Sequence, residues 1–409
     1  MFWTTIAILF VLLLICYWNS RSIVHPGVVT AGIWMIVLLV YHYSNYGLYA
    51  LSESFYKMVL LWAIPFCLIS VFVQHTPSVV SPFIAGDANE RTLKVLKPIL
   101  IIALIFATMG VIYRGMQYDS SNILHGIRQA SVATLLGDEE SVPFPSWLKP
   151  FMELANTGAL PVCLYLIIIK RDWNRYSKIL FIMLIVYFVL RSNKNVLAQF
   201  GLAFACMLFL EPHISKKKIL MVFVVMAALM VGLNFVRGIG VREDDFDIQR
   251  MGALYMLAPL PAFDSVIDNY SFIEDFHGEY TFRAFVKFMQ IFDPTIVGNS
   301  DPFNLNNWTF TPIPVNVYTA LFPFYEDFGR VGVVIFALLL GYVCGILFKH
   351  AAQGYTIGKL VYSCMFYTII FQFFADNFFQ FFWTNAAYIL FCTLIVFKLN
   401  VSYDKITTV

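Results

Sequence analysis

The sequence predicts an all-α polytopic integral membrane protein of about eleven transmembrane helices (roughly ten to twelve), with one long extracytoplasmic loop. Three observations predict it. Hydrophobic residues make up 60% of the 409 positions and charged residues only 13%, whereas a soluble domain carries about twice that charge. Mean hydropathy is +0.74. The apolar runs are continuous rather than alternating, and a helix needs about 20 such residues to cross about 30 Å of hydrocarbon. Backbone groups find no water there, so only helices or closed barrels can cross, and unbroken runs select helices.

Taken in order, the candidate spans are 2–18, 27–43, 55–74, 97–113, 148–169, 178–190, 195–211, 219–236, 330–348, 359–375 and 382–398. The first run, Phe2 to Tyr17, lacks the basic start and small-residue cleavage site of a signal peptide and is expected to be a transmembrane helix. Arg91, Lys94 and Lys97 lead into the fourth span. Lys170, Arg171, Arg175 and Lys178 fill the loop after the fifth, and Lys216, Lys217 and Lys218 follow the seventh. Spans six and seven are short and joined by only a few residues. Lys349 and Lys359 flank the turn after the ninth, and Lys398 and Lys405 follow the last. With eleven spans all these basic loops share one side, which the positive-inside rule makes the cytoplasm. The N-terminus is then outside. Residues 1–409 form a single membrane domain, because no Gly/Ser- or Pro-rich linker and no internal repeat divides it.

The outer segments are 114–147 and the long loop 237–329. The second is rich in acids, among them Glu243, Asp244, Asp245, Asp247, Asp264 and Glu279. Loops beyond about 15 residues are usually functional or disordered. Aromatic residues recur in this one, so it is expected to fold against the membrane surface, with 251–263 as an interfacial or re-entrant helix.

Several chemistries are excluded. A net charge of +2 without a basic stripe argues against nucleic acid. All seven cysteines fall in apolar runs, none in a CxxC or CxxH, and are expected to be core residues. The seven histidines are scattered, with no pair at metal-ligand spacing. Neither a metal nor a cofactor is expected.

The suggestive residues gather at one face. Arg191 ends the sixth span ahead of Ser192-Asn193-Lys194, on the side where the positive-inside rule disfavours Arg and Lys. A snorkelling interfacial charge would also explain it, as would a cytoplasmic turn if spans six and seven are misplaced. Arg237 and Arg242 flank Gly238 and Gly240 where the eighth span leaves the bilayer. Their planar forks match phosphate oxygens, although Glu243, Asp244 and Asp245 are adjacent salt-bridge partners. Tyr318-Thr319 leads through Asp327-Phe328-Gly329 into the ninth span. Capping of that helix accounts for Asp327 as well as catalysis does. Asp376, flanked by Phe at the last outer turn, is costly unless paired, and an outer arginine is its expected partner.

The Arg191 turn, the Arg237-Gly238 exit, the long outer loop and the Tyr318-Thr319…Asp327-Phe328-Gly329…Gly332 run together resemble bacterial oligosaccharide repeat-unit polymerases, the Wzy group of membrane glycosyltransferases with a GT-C-like plan. The resemblance covers most of the chain as architecture and those short patches at residue level. Many members have more spans and a cytoplasmic N-terminus. The resemblance implies a metal-independent glycosyltransferase at the periplasmic face of the bacterial inner membrane. It would move a growing glycan from undecaprenyl pyrophosphate onto the sugar of another lipid-linked repeat unit. Asp327, Arg191 and Arg237 would be its catalytic residues, and Arg242, Lys194, Tyr318, Thr319 and Asp376 would bind substrate. Its partners would be lipid-linked oligosaccharides, membrane lipids and a chain-length regulator protein. A flippase or other transporter of the same lipids, an O-antigen ligase, or a scaffold of an export complex are the alternatives. Transporters typically carry ionisable residues near the midplane, and few lie mid-span here.

Overall fold

The computed structural model describes residues 1–44, 46–77, 89–136, 145–191, 194–211, 213, 224, 256–267, 278–293, 309–312 and 314–396, without the side chains of 131–136, 194 and 287. The first three predicted spans are helices α1 (Phe2–Ser20), α2 (Pro26–Tyr43) and α3 (Glu53–His75). Local chemistry starts two of them. His25 Nδ1 accepts the Gly27 N–H at 3.2 Å, with Pro26 in the first turn, where a missing N–H costs nothing. Ser52 Oγ accepts the Phe55 N–H at 3.1 Å, an N-cap. Helix α4 (Glu90–Tyr118) extends beyond the predicted 97–113 at both ends. A further helix, α5 (Ile123–Leu136), lies inside the predicted outer loop. It buries Ile127 and Ala130, but at 14 residues it is too short to span.

Helix α6 (Ser146–Ile169) matches the fifth span. It is interrupted by π-helical turns at Leu154–Gly158 and Tyr165–Ile169. Helices α7 (Arg175–Leu190) and α8 (Lys194–Leu210) occupy spans six and seven. The predicted eighth span, 219–236, lies outside the described residues. The loop region contributes α9 (Pro259–Ile267), which overlaps the expected interfacial helix, and α10 (Arg283–Met289). It also contributes a two-residue antiparallel pair, β1 (Thr309–Phe310) with β2 (Pro314–Val315). Helices α11 (Leu321–Ala352), α12 (Thr356–Ile370) and α13 (Phe382–Val396) complete the chain. Among the described residues, seven helices are long and apolar enough to cross a membrane, and Asn195–Leu210 and Phe382–Val396 are shorter apolar helices. The protein is a multi-pass, all-α membrane protein.

Helix α11 starts nine residues before the predicted 330–348 span because it is two segments. Gly329 breaks it with φ 62° and ψ −155°, a combination that residues with a Cβ avoid. The segment Leu321–Phe328 therefore precedes the spanning part, and the break re-aims it.

Among the described residues, buried side chains form two large clusters and a small third, in which Ala258, Ala262 and Val315 pack with Tyr318. One large cluster joins α1, α2 and α3 to α9, α11 and α12 through Trp34, Trp62, Phe263 and Phe324. The other joins α4, α6, α7, α8 and α13, and again α12. Gln372, just after α12, ties the first together. Its Oε1 accepts Trp62 Nε1 at 2.6 Å and Trp34 Nε1 at 3.2 Å. Its Nε2 donates to Thr30 Oγ1 at 3.1 Å and the Ile369 carbonyl at 2.7 Å. The Gln372 carbonyl accepts the Ala320 N–H at 2.8 Å, which anchors the chain entering α11.

The two sets of helix ends are tied by different contacts. On one face Lys97 pairs with Asp172 at 3.0 Å, Lys170 with Glu90 at 2.6 Å and Lys359 with Glu211 at 2.6 Å. Lys349 Nζ, on the same face, donates to the Val73 and Thr76 carbonyls at the end of α3. On the opposite face Asp264 of α9 accepts the Ser52 N–H at 2.7 Å and its hydroxyl at 2.5 Å. Tyr325 OH donates to the Ile267 carbonyl. Helix α9 is thus pinned against α3 and α11 on the face away from the basic loops.

Candidate functional site

The first segment of α11 carries the acidic part of the site. Asp327 is buried. Its Oδ2 accepts the Thr281 N–H at 2.6 Å and its Oδ1 the Tyr280 N–H at 3.2 Å. Thr281 Oγ1 donates to the Pro323 carbonyl at 3.2 Å. The expected cap of the ninth span is therefore corrected. Because Gly329 breaks the helix after it, Asp327 lies at the end of the preceding segment and holds the turn before α10 instead.

Its neighbour Glu326 differs. Glu326 Oε2 is shut off from solvent and has no hydrogen-bond partner among the described residues, a condition that costs free energy unless something supplies a donor. Two tyrosines sit beside it. Tyr318 stacks on Phe322 with ring centroids 4.3 Å apart, and Tyr280 meets the same ring edge-on at 5.4 Å. Burial, then the charge of Glu326, pushes both phenols up to about 12. Both stay protonated near pH 7 and remain donors. Thr319, next to Tyr318 in the chain, is buried, its Oγ1 without a partner among the described residues.

Arg191, just past α7, forms the basic part. Its Nη1 donates to Asn156 Oδ1 at 2.5 Å, and Tyr187 OH donates to the same oxygen at 2.9 Å. Tyr388 OH of α13 donates to the Asn156 carbonyl at 3.3 Å. Asn156 lies in the first π-helical turn of α6, where the widened turn shifts side-chain phase, as π-bulges at functional sites often do. A guanidinium has five N–H donors, and Asn156 takes one of them, fixing the fork.

Asp376 is buried at the turn between α12 and α13. It accepts the backbone N–H groups of Phe378 at 2.9 Å and Phe379 at 3.3 Å, and that of Gln380. Among the described residues a local cap holds it, and Arg237 and Arg242, two of the outer arginines expected as its partner, lie outside those residues. Burial pushes its carboxyl up to about 6, against the pull of those N–H groups. Asn385 Nδ2 braces the same turn through the Asn377 and Phe378 carbonyls at 3.0 and 3.1 Å. Phe379 then packs edge-on against Phe282 at 5.7 Å and Phe324 at 5.9 Å.

The structure thus brings Tyr318, Thr319, Asp327 and Asp376 into one packed region. Arg191 joins it indirectly, through Asn156, Tyr388 and the α13 turn. Arg237 and Arg242 lie outside the described residues, and of Lys194 only its place at the start of α8 is described. Sequence reasoning passed over Glu326, Tyr280 and Asn156. Glu326 could have been found as half of an acidic doublet among aromatics. Asn156, inside an apolar run, carries no comparable signal. Among the described residues no three His, Cys, Asp or Glu side chains cluster as metal ligands.

The sequence model of the family described as "Putative O-antigen polymerase" matches residues 158–372, a stretch running from α6 through α7, α8, the loop region and α11 to Gln372. No curated protein and no solved structure matches the chain.

Proposed function

This chain belongs to the O-antigen polymerase family, and on that premise we propose that it polymerises lipid-linked repeat units at the outer face of a bacterial inner membrane. The growing glycan leaves its undecaprenyl pyrophosphate and is joined to a sugar hydroxyl of another lipid-linked unit. The observation that carries this reading is the Glu326–Asp327 doublet beside Tyr280 and Tyr318, placed away from the basic loops.

The chemistry needs three things. The attacking hydroxyl must lose a proton, and Glu326, with an oxygen free to accept, is the group we assign to orient and deprotonate it. The leaving diphosphate must be neutralised, for which Arg191, with Arg237 and Arg242, offers planar forks. The loop must be held over the membrane surface, which Asp327 does by fixing Tyr280 and Thr281. We read Asp327 as a positioning residue. Tyr318, Thr319 and Asp376 shape the acceptor side, and Lys194 adds charge near Arg191. Free energy comes from the sugar–diphosphate bond, so no nucleotide is consumed.

The test is purified protein incubated with a lipid-linked repeat unit in EDTA and without ATP. A series of polymer lengths is the expected product. Movement of the unit across vesicles without lengthening would instead favour a transporter, and transfer onto a lipid A core a ligase.

A further inference from the structure

A groove of about 860 Å³ runs down the side of the bundle between α3 and the spanning part of α11. Its walls are apolar, with Leu61, Ile64 and Leu68 on one side and Val334 and Leu338 on the other. Leu68 and Leu338 are exposed, so the groove opens sideways, where a bilayer would lie. On α3 it extends from Ser54 to Phe72, a rise of about 27 Å at about 1.5 Å per residue. The two helices run in the same direction and converge deeper in. A Cβ on Gly341 would meet the Phe66 carbonyl oxygen at 2.6 Å, so only glycine permits that approach.

Charge appears at one end only. Lys57 and Arg330 are the charged residues of the lining, both at the end near the candidate site. Lys57 meets exposed Glu53 at 3.9 Å, a contact worth little in water. Arg330 is exposed and forms no ion pair among the described residues. It follows the Gly329 break directly and is three residues beyond Asp327. Cations at that end are on the face away from the basic loops, where the positive-inside rule disfavours them.

We propose that this groove seats the polyprenyl chain of a lipid-linked substrate, with Lys57 and Arg330 holding its diphosphate. The inference rests on the polymerase reading and deepens it. Two lipid diphosphates must be present together for transfer, so a cationic pair separate from Arg191 has a place in the reaction. The apolar length suits a long hydrocarbon chain, and the fork of Arg330 suits phosphate oxygens. A head group held there puts its sugars next to Glu326, Tyr280 and Tyr318. A bulk phospholipid would find the same apolar walls, but nothing in that case calls for paired cations beside the carboxylates.

The experiment uses the purified full chain in phosphatidylethanolamine nanodiscs with a diazirine-bearing polyprenyl diphosphate. Crosslinks are expected on 57–72 and 330–338, suppressed by unlabelled polyprenyl diphosphate and not by added phosphatidylglycerol. The double variant Lys57→Gln/Arg330→Gln should weaken capture at least tenfold at an unchanged thermal midpoint. Should that variant be unstable, Leu61→Trp blocks the groove without touching the cations and should abolish the same crosslinks. Equal competition by phosphatidylglycerol, or crosslinks mapping elsewhere, overturns the proposal. Capture is read without polymerisation, so the two readings fail separately. Polymer without groove crosslinks defeats the groove alone, and groove crosslinks without polymer defeat the polymerase reading alone.

Discussion

Arg191 and Asp376 show how single side chains at this face can be interrogated. Arg191 is oriented by Asn156 through a 2.5 Å bond, so a diphosphate held by its fork should not accept a point charge in its place. Arg191→Lys is expected to lower polymer yield by about 100- to 1,000-fold, the usual loss for one preorganised transition-state donor, at normal membrane expression. A snorkelling anchor would tolerate lysine fully, so wild-type polymer from the lysine variant would reduce Arg191 to an anchor. At Asp376 the quantity to follow is stability against pH. Its folded pKa of about 6 lies above the ordinary carboxylate value of about 3.9. The folded state therefore binds the proton more tightly, and its contribution is complete below about pH 4 and lost as pH rises through about 6. The thermal midpoint in detergent should fall over that window relative to Asp376→Asn, whose carbonyl keeps an acceptor for Phe378 and Phe379. Parallel pH profiles for the two proteins would show that Asp376 is not buried as described.

The elements that build the site are a broken helix, a pinned loop and a glutamine hub. Gly329 occupies backbone space that other residues enter at a cost of about 1–3 kcal/mol. Gly329→Ala should therefore lower the thermal midpoint and loosen the Asp327 contacts, read as faster proteolysis near Tyr280. Unchanged cleavage would mean that the break does not set the site. Gln372→Leu strands the indole N–H groups of Trp34 and Trp62, each at about 1–3 kcal/mol if left unsatisfied, and a loss of folded yield is expected on detergent extraction. Much at this scale was legible in the sequence. Runs such as Phe2–Ser20 and Glu53–His75 announce themselves, because a helix must satisfy its own backbone wherever water is absent. Helix α5 did not, since His125, Arg128 and Gln129 interrupt its apolar positions and it is too short to cross. The division of α11 was half visible, because Gly329 is plain in the sequence but its φ is not. Asp327 was singled out, yet its partners lie 46 and 47 residues away along the chain, a separation that no local pattern encodes.

Across the whole molecule, the separation of charge between the two faces gives the orientation its meaning. Lys97, Lys170, Lys349 and Lys359 gather at one end, whereas α9, Glu326 and Asp327 lie at the other. If the basic end is cytoplasmic, cysteines placed within 260–310 should react with an impermeant maleimide in intact cells. Those near Lys217 or at Gln353 should react only after lysis. The reverse pattern would strand the carboxylates away from translocated substrates. The central claim is that the Glu326 face joins one lipid-linked glycan to another. Its most direct measurement is the product length distribution from purified wild-type and Glu326→Gln proteins given the same lipid-linked repeat unit. The account predicts a series of lengths from wild type and single units from a Glu326→Gln protein of equal thermal midpoint. A wild-type length series from that variant would contradict it.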